Sequence, residues 1–291
     1  NMKLFTSLIN TIKEHFRLKL IICFILCAIL PLLILGTISY KISYNIAKDK
    51  ILKETAISCE KNQHLLENRM TQIENLEDSI HFNLCMLCTT AEQPMSNYLD
   101  KLSAVRNNIA SIADSFNIYH VNIFLPDDTF ASKEGLTFCS LSDLKKYKVQ
   151  LSDFSKHGLT PNWIFRKDIN FPYMVSKGEE PSGVLSCYRY AKINSQKTCL
   201  AVHITSEELS NYLNTFSEGN PSLSYIINSE GVVLSSTDKK QIGGSLSNEK
   251  LHAITQNLRL SHFSYDKCEI ISTPVHNQLF LVTETPDYYI R

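Results

Sequence analysis

The stretch Leu20–Tyr40, LIICFILCAILPLLILGTISY, runs for 21 residues without a charged side chain. As a helix rising about 1.5 Å per residue it reaches across a hydrocarbon core of about 30 Å. Pro31 falls in its middle, and a membrane helix tolerates proline better than a soluble one does. A secretory signal has a shorter apolar region and a small-x-small exit, and Thr37-Ile38-Ser39-Tyr40-Lys41 makes a poor exit. The stretch is therefore read as a retained transmembrane helix, residues 20–40. Lys3, Lys13, Arg17 and Lys19 before it balance Lys41, Lys48, Lys50 and Lys53 after it, so the Lys/Arg bias does not orient it. The amphipathic TSLINTIKEHFRLKL is read as a cytoplasmic lead-in, residues 1–19, which puts residues 41–291 outside the cell.

Beyond the span a second pattern takes over. Leu52, Ala56, Cys59, Gln63, Leu66, Met70, Ile73, Glu77, Ile80, Leu84 and Leu87 recur at alternating spacings of four and three. This is a seam of period 3.5 on a stretch free of Gly and Pro from Lys41 to Gln93, broken by polar residues only at Gln63 and Glu77. It specifies a long helix continuous with the span. The seam fits either a twin helix in a homodimer or the domains of its own chain. We expect both, with the membrane-near part dimeric. Pro94 opens a second helix, whose stripe is Tyr98, Leu102, Val105, Ile109, Ile112 and Phe116.

From Asn117 the period changes to two. Strands are expected at residues 117–125, 162–166, 172–176, 183–193 and 197–204, with a short helix at 140–147. Thr205-Ser-Glu-Glu208 reads as a capping box opening a helix that ends near Phe216. A second set follows: strands at 223–228 and 232–236 about the turn Ser229-Glu230-Gly231, a break at Gly243-Gly244, and a helix at 247–258. Strands at 261–265, 268–273 and 278–284 close it. The fold class is α+β: a transmembrane helix continuing into a long helix, then two PAS-like antiparallel-sheet modules. The divisions are 41–117 for the helices, 118–216 for a membrane-distal module, 217–286 for a membrane-proximal module, and 287–291 for a lead-in to a second span.

Composition narrows the function. With 29 basic and 29 acidic residues the chain has no net charge, hence no electrostatic footprint for nucleic acid. Hydrophobic residues at 44% argue for packed domains. Of nine cysteines, seven follow the span at irregular intervals, which does not fit a full disulfide framework. His81, Cys85 and Cys88 share one side of a helix but lack a fourth ligand nearby, so they are read as small buried residues and not as a metal site. The sequence has no nucleophile elbow, no HExxH and no phosphate loop. Neither catalysis nor a cofactor is expected of it.

The span with Pro31–Gly36, the long helix, residues 185–213 (LSCYRYAKINSQKTCLAVHITSEELSNYL) and the second-module stretch INSEGVVLSSTDKKQIGGSL together resemble the double Cache (dCache) extracellular sensors, in particular those of YesM-like sensor histidine kinases. The resemblance covers nearly the whole chain. It implies that the first module binds a small molecule outside the cell. It also implies that a second span, a HAMP linker and a kinase acting on a response regulator follow Arg291. The same outside could serve a chemotaxis receptor, a cyclase or an AraC-type regulator, and a surface interaction module without a ligand is the rival of another class.

Alternation nominates the ligand-binding side chains. On residues 183–193 one face carries Leu185, Cys187, Arg189, Ala191 and Ile193. An arginine in such a face needs a partner, either a ligand carboxylate or phosphate or an internal Asp or Glu. On residues 117–125 the apolar face of Tyr119, Val121, Ile123 and Leu125 belongs against the helices. The opposite face, His120, Asn122 and Phe124, has the mixed character of a small-molecule surface. Trp163, the only tryptophan, alternates with Phe165, and Phe171 with Tyr173; Trp163 and Tyr173 are read either as an aromatic wall of the site or as core packing. The amino-acid-binding branch of the resembled family carries a Tyr/Arg/Trp/Tyr/Asp pattern. Residues 157–162, His-Gly-Leu-Thr-Pro-Asn, supply neither Tyr nor Arg before Trp163, which argues against an amino acid ligand.

Overall fold

The structure is a computed structural model that describes residues 16–89, 95–126, 137–147, 161–167, 180–193, 196–213, 221–256, 259–276 and 279–290. The expected strand at 172–176 and the expected helix end at Phe216 lie outside these residues. The chain divides into two compact units, Asn1–Glu54 with Tyr288–Arg291, and Thr55–Asp287.

Helix α1, Phe16–Thr89, is one helix of 74 residues with Pro31 inside it. In the first unit it exposes Leu20, Phe24, Leu32, Leu33 and Leu35, and it is the one helix among the described residues long and apolar enough to cross a membrane. In the second unit its seam is used up within the chain: Cys59, Leu66, Met70, Ile73, Ile80 and Leu84 are all buried. Burying each such side chain is worth about 1.5–3 kcal/mol, so the spine is held by packing and not by helix propensity. Helix α2, Met95–Ser115, follows and buries Ile109. It ends at Ser115, and two residues on Asn117 takes a left-handed φ of 51°, which Asn tolerates. Arg69 of α1 fastens this corner, donating from Nη2 to Phe116 O at 2.5 Å and pairing with Glu208 at 3.2 Å.

The first module is a five-stranded sheet built from β1 (His120–Leu125), β2 (Phe138–Ser140), β3 (Asn162–Arg166), β4 (Val184–Ile193) and β5 (Gln196–Thr205). Its order is β2-β1-β5-β4-β3. The short strand β2 has no counterpart in the sequence reading, and it pairs with β1 in parallel, the one departure from antiparallel pairing in either sheet. The expected helix at 140–147 is a 3-10 helix, Leu141–Tyr147. Thr205 caps helix α3, Ser206–Ser210, by accepting from Glu208 N, as the capping-box reading requires.

The second module repeats the plan with β6 (Leu223–Ile227), β7 (Val233–Ser236), helix α4 (Asn248–Thr255), β8 (Ser261–Tyr265), β9 (Cys268–Val275) and β10 (Leu279–Pro286), in the order β7-β6-β10-β9-β8. A short helix α5, Asp287–Ile290, follows. Ser247 caps α4, and Gly231 takes the positive φ of 80° that the β6–β7 turn demands. Both sheets lie with α1 from Thr55 onward in one compact unit, so the two expected modules share a spine.

The modules meet at Ser206: its Oγ donates to Leu234 O at 2.6 Å, and Ser235 Oγ donates to Ser206 O at 2.7 Å. Gly183 O accepts from Ser206 N, and a Cβ on Gly183 would lie 2.6 Å from Phe165 Cζ and 2.8 Å from Ser206 Oγ. Gly183→Ala should therefore cost about 1–3 kcal/mol through overpacking. Chemical denaturation of the purified chain in detergent would read it as a lower midpoint; an unchanged midpoint would mean that Phe165 swings aside freely.

Candidate functional site

Directly paired residues in a sheet share a face, so the register sorts the first module's side chains. His120 pairs with His203, Asn122 with Ala201 and Phe124 with Cys199; Ser186 pairs with His203 and Tyr188 with Ala201. These residues, with Cys139 beside Phe124, occupy one face. His203 is its hub and is fully buried. Its Nε2 lies 2.9 Å from Asn122 Oδ1 and its Nδ1 lies 2.7 Å from Ser186 Oγ. Asn122 Nδ2 donates to Cys139 Sγ at 3.5 Å, which leaves Oδ1 as the acceptor. The proton then sits on Nε2 of His203, and Nδ1 accepts from the Ser186 hydroxyl. Burial, helped by the nearby His120, holds the His203 pKa well below its usual 6.5, so the ring is neutral. His120 stacks on it at 6.4 Å, and Tyr188 meets it edge-on at 6.0 Å. Burial pushes the Tyr188 phenol up to about 12.

The same positions in the second module hold different chemistry. Where the first sheet has His120, Asn122, Ser186 and His203, the matching register carries Leu223, Tyr225, Ile270 and Glu284. That face packs Tyr225, Ile227, Ile254, Ile270, Phe280 and Val282 into an apolar cluster under α4. Its single carboxylate, Glu284, is taken by Lys250 at 2.5 Å and by the Tyr225 hydroxyl. Both faces are packed, the first around Phe124, Leu144, Val184 and Tyr188 and the second around Tyr225 and Ile254; the first adds the His203 hub, the second the Lys250–Glu284 pair.

His120, Asn122 and Phe124 stand on the hub face as the sequence suggests. Cys187, Arg189 and Trp163, grouped with them as candidate ligand residues, do not. Val202 pairs with both Val121 and Cys187, and Cys187 pairs with Trp163, so these side chains share the opposite face, toward α1. Opposite faces of one sheet cannot line one pocket. The partner that Arg189 requires is internal: its Nε lies 3.3 Å from Glu77 Oε2, its Nη1 pairs with Asp78, and its Nη2 donates to Glu74 O at 3.4 Å. Cys187 Sγ donates to Glu77 Oε2 at 3.4 Å, and Trp163 Nε1 donates to Glu74 Oε1 at 3.0 Å. Tyr173 lies outside the described residues. Sequence reasoning missed Ser186, Tyr188 and His203. The alternate face of β4, Ser186-x-Tyr188-x-Tyr190, was the available signal.

A cavity of about 240 Å³ lies at the junction of α2, β1 and α3, lined by Asp114, Asn117, Ile118, Tyr119, Thr205 and Glu208 among others. It falls below the range of about 300–1,000 Å³ usual for small-molecule sites, and Glu208 is already engaged by Arg69 and Asn117. The described cysteines are free thiols, and among the described residues no three metal-ligating side chains cluster.

A fold of two sheet modules on one long helix emerges from this architecture, and comparison with solved structures gives it its structural neighbours. The periplasmic sensory domain of the Campylobacter jejuni chemoreceptor Tlp1 matches with a TM-score of 0.60 at 14% identity, over 82% of this chain and 98% of that one. The extracellular domain of the putative histidine kinase rpHK1S-Z16 matches at 0.59 and 15%, over 84% and 98%. The sensory domain of the C. jejuni chemoreceptor Tlp3 with isoleucine bound matches at 0.55 and 13%, over 85% and 97%. At such identities the likeness establishes the fold: a long N-terminal helix followed by two sheet modules, as in double Cache sensory domains. No family model matches the chain, and no curated protein does.

Two buried groups give stability a pH dependence. Burial, outweighing Arg189, pushes the Glu77 carboxyl from 4.5 up to about 8. The folded chain therefore keeps a proton that the unfolded chain has released, and stability falls as pH rises through this window. His203 acts in the other sense: below 6.5 the unfolded chain gains a proton that the folded chain refuses, so stability is lost as pH falls. Between pH 6.5 and 8, Glu77→Gln should flatten the descending limb of denaturation midpoint against pH; an unchanged limb would assign the slope elsewhere.

Proposed function

We propose that the chain is the ligand-sensing region of a membrane-anchored receptor, with residues 41–291 outside the cell. A small molecule binds at the His203 face of the first module. The observation that carries this reading is the His203 hub: a buried neutral imidazole engaged at both nitrogens by Asn122 and Ser186 with His120 stacked on it, where the matched face of the second module carries a Lys250–Glu284 ion pair among apolar side chains. Buried polar groups are costly unless they serve packing specificity or recognition, and a buried imidazole at the centre of one module's face supports recognition. Two of the structures named above are sensory domains of chemoreceptors, one of them with isoleucine bound, and the third is the extracellular domain of a putative histidine kinase. The departure of residues 157–162 from the amino-acid-binding pattern favours another ligand class here. The resemblance to YesM-like kinases favours a histidine kinase and a response regulator as the output, with a chemoreceptor as the second reading because both kinds occur among the relatives. No catalysis is assigned to this chain. Exposed Ile42 and Ile46, one turn apart on α1, support a homodimer joined along that part of the helix.

A thermal-shift screen of the purified chain against sugars, organic acids, amino acids and peptides tests the reading. A ligand at about 100 times its dissociation constant adds about 2.7 kcal/mol, a rise of roughly 5–10 °C for a domain of this size. His120→Ala should erase the shift while keeping the unliganded melting point. Arg189→Ala should lower that melting point, since it strips the buried Glu77 of its partner. A ligand shift that survives His120→Ala and Asn122→Ala would move the site off this face. For the output, the coding sequence following Arg291 decides between a phosphoacceptor-histidine module and a chemotaxis signalling module.

A further inference from the structure

Glu74 occupies a singular position on the spine. Its Oε1 accepts from Trp163 Nε1 at 3.0 Å and from His276 Nε2 at 2.9 Å. Trp163 belongs to β3, the edge strand of the first sheet, and His276 belongs to the connection between β9 and β10 of the second. One carboxylate oxygen thus takes a donor from each module. Arg189, from β4, closes on the same turn of α1 through Glu74 O, Glu77 and Asp78. The side chains of Glu74 and His276 are 16% and 32% exposed, so the contact is sheltered without being sealed in a core.

We infer that Glu74 is a latch that joins the two modules through the spine, so that a displacement of the β3 edge is felt at the β9–β10 connection and the reverse. Three features argue for a mechanical link over a local cap. An edge strand has a sheet neighbour on one side only, and β3 is one of the two edge strands of the first sheet, so its own module restrains it on one side alone. Hydrogen bonds to a charged acceptor are about twice as strong as neutral ones, and here two of them share that acceptor. The buried Ser206 contacts with Leu234 and Ser235, and Lys167 packed against Gly243, join the same modules at other points, while the attachment at Glu74 is partly open to water. The inference concerns linkage within the chain and stands whether or not the first module binds a small molecule.

Trp163 is the only tryptophan in the chain, so its fluorescence reports one end of the latch directly. The experiment uses the purified full chain in detergent micelles without added ligand. His276→Ala should shift Trp163 emission to longer wavelength and lower hydrogen-exchange protection of residues 162–166 about tenfold, while leaving β1 and β7 as in the wild type. Trp163→Phe, which keeps the ring bulk and removes the N–H, should lower protection of residues 272–275 by a similar factor. His276→Gln, which keeps a donor, should restore most of the Trp163 signal. The inference is overturned if each variant affects only its own module, or if protection falls uniformly through both sheets. Should Glu74→Ala fail to fold, these three variants carry the test alone.

Discussion

The buried seam of α1 is the constraint on which the rest depends. One helix presents one apolar stripe, and from Cys59 to Leu84 that stripe must serve two sheets in succession. A polar residue in such a stripe is expensive unless it is paired. The polar breaks are accordingly the points of specific contact: Gln63 accepts from Thr273 of the second module, and Glu77 receives Arg189 and Cys187 of the first. Packing supplies the energy, and these pairs set which sheet sits against which turn.

The two sheets show how one topology is put to two uses. Both place the strand that closes the module between its first and fourth strands, and both turn one face to α1. In the second module the other face is closed by α4 with Ile254 at its centre. In the first it is organised about a neutral histidine whose two ring nitrogens are each committed, to Asn122 and to Ser186. A committed hub holds its neighbours in fixed orientation, which is what a recognition surface needs. It also resists protonation, because a second proton would have to replace the accepted hydrogen bond from Ser186.

Much of this was legible in the sequence, for identifiable reasons. Hydrophobic period and capping signals are local, so the span, the seam, the strand at Asn162–Arg166, the strand at Ser261–Tyr265 and the cap at Thr205 could each be read from a few neighbouring residues. On the same reasoning Val121, Ile123 and Leu125 share the face opposite the hub, whereas Tyr119, expected with them, packs against the hub-face cluster of Phe124 and Tyr188. Strand β2 was missed because three residues, Phe138–Ser140, carry too little alternation to register, and its parallel partner lies across an intervening segment.

The choice of face on β4 required the tertiary structure. Period two says that Leu185, Cys187 and Arg189 stand together and Ser186, Tyr188 and Tyr190 stand together, but both rows are equally buried-looking, and nothing local says which one meets α1. The inter-strand register answers that, through Val202 pairing with Val121 on one side and Cys187 on the other. The sequence by itself determined most of the elements and their order, β2 excepted, and the need for a partner to Arg189. The fold alone decided that the partner is Glu77 with Asp78, more than a hundred residues earlier in the chain, and that Trp163 and His276 meet on Glu74. Local periodicity orients side chains relative to their own strand. Pairing energies between distant segments decide what those side chains then face.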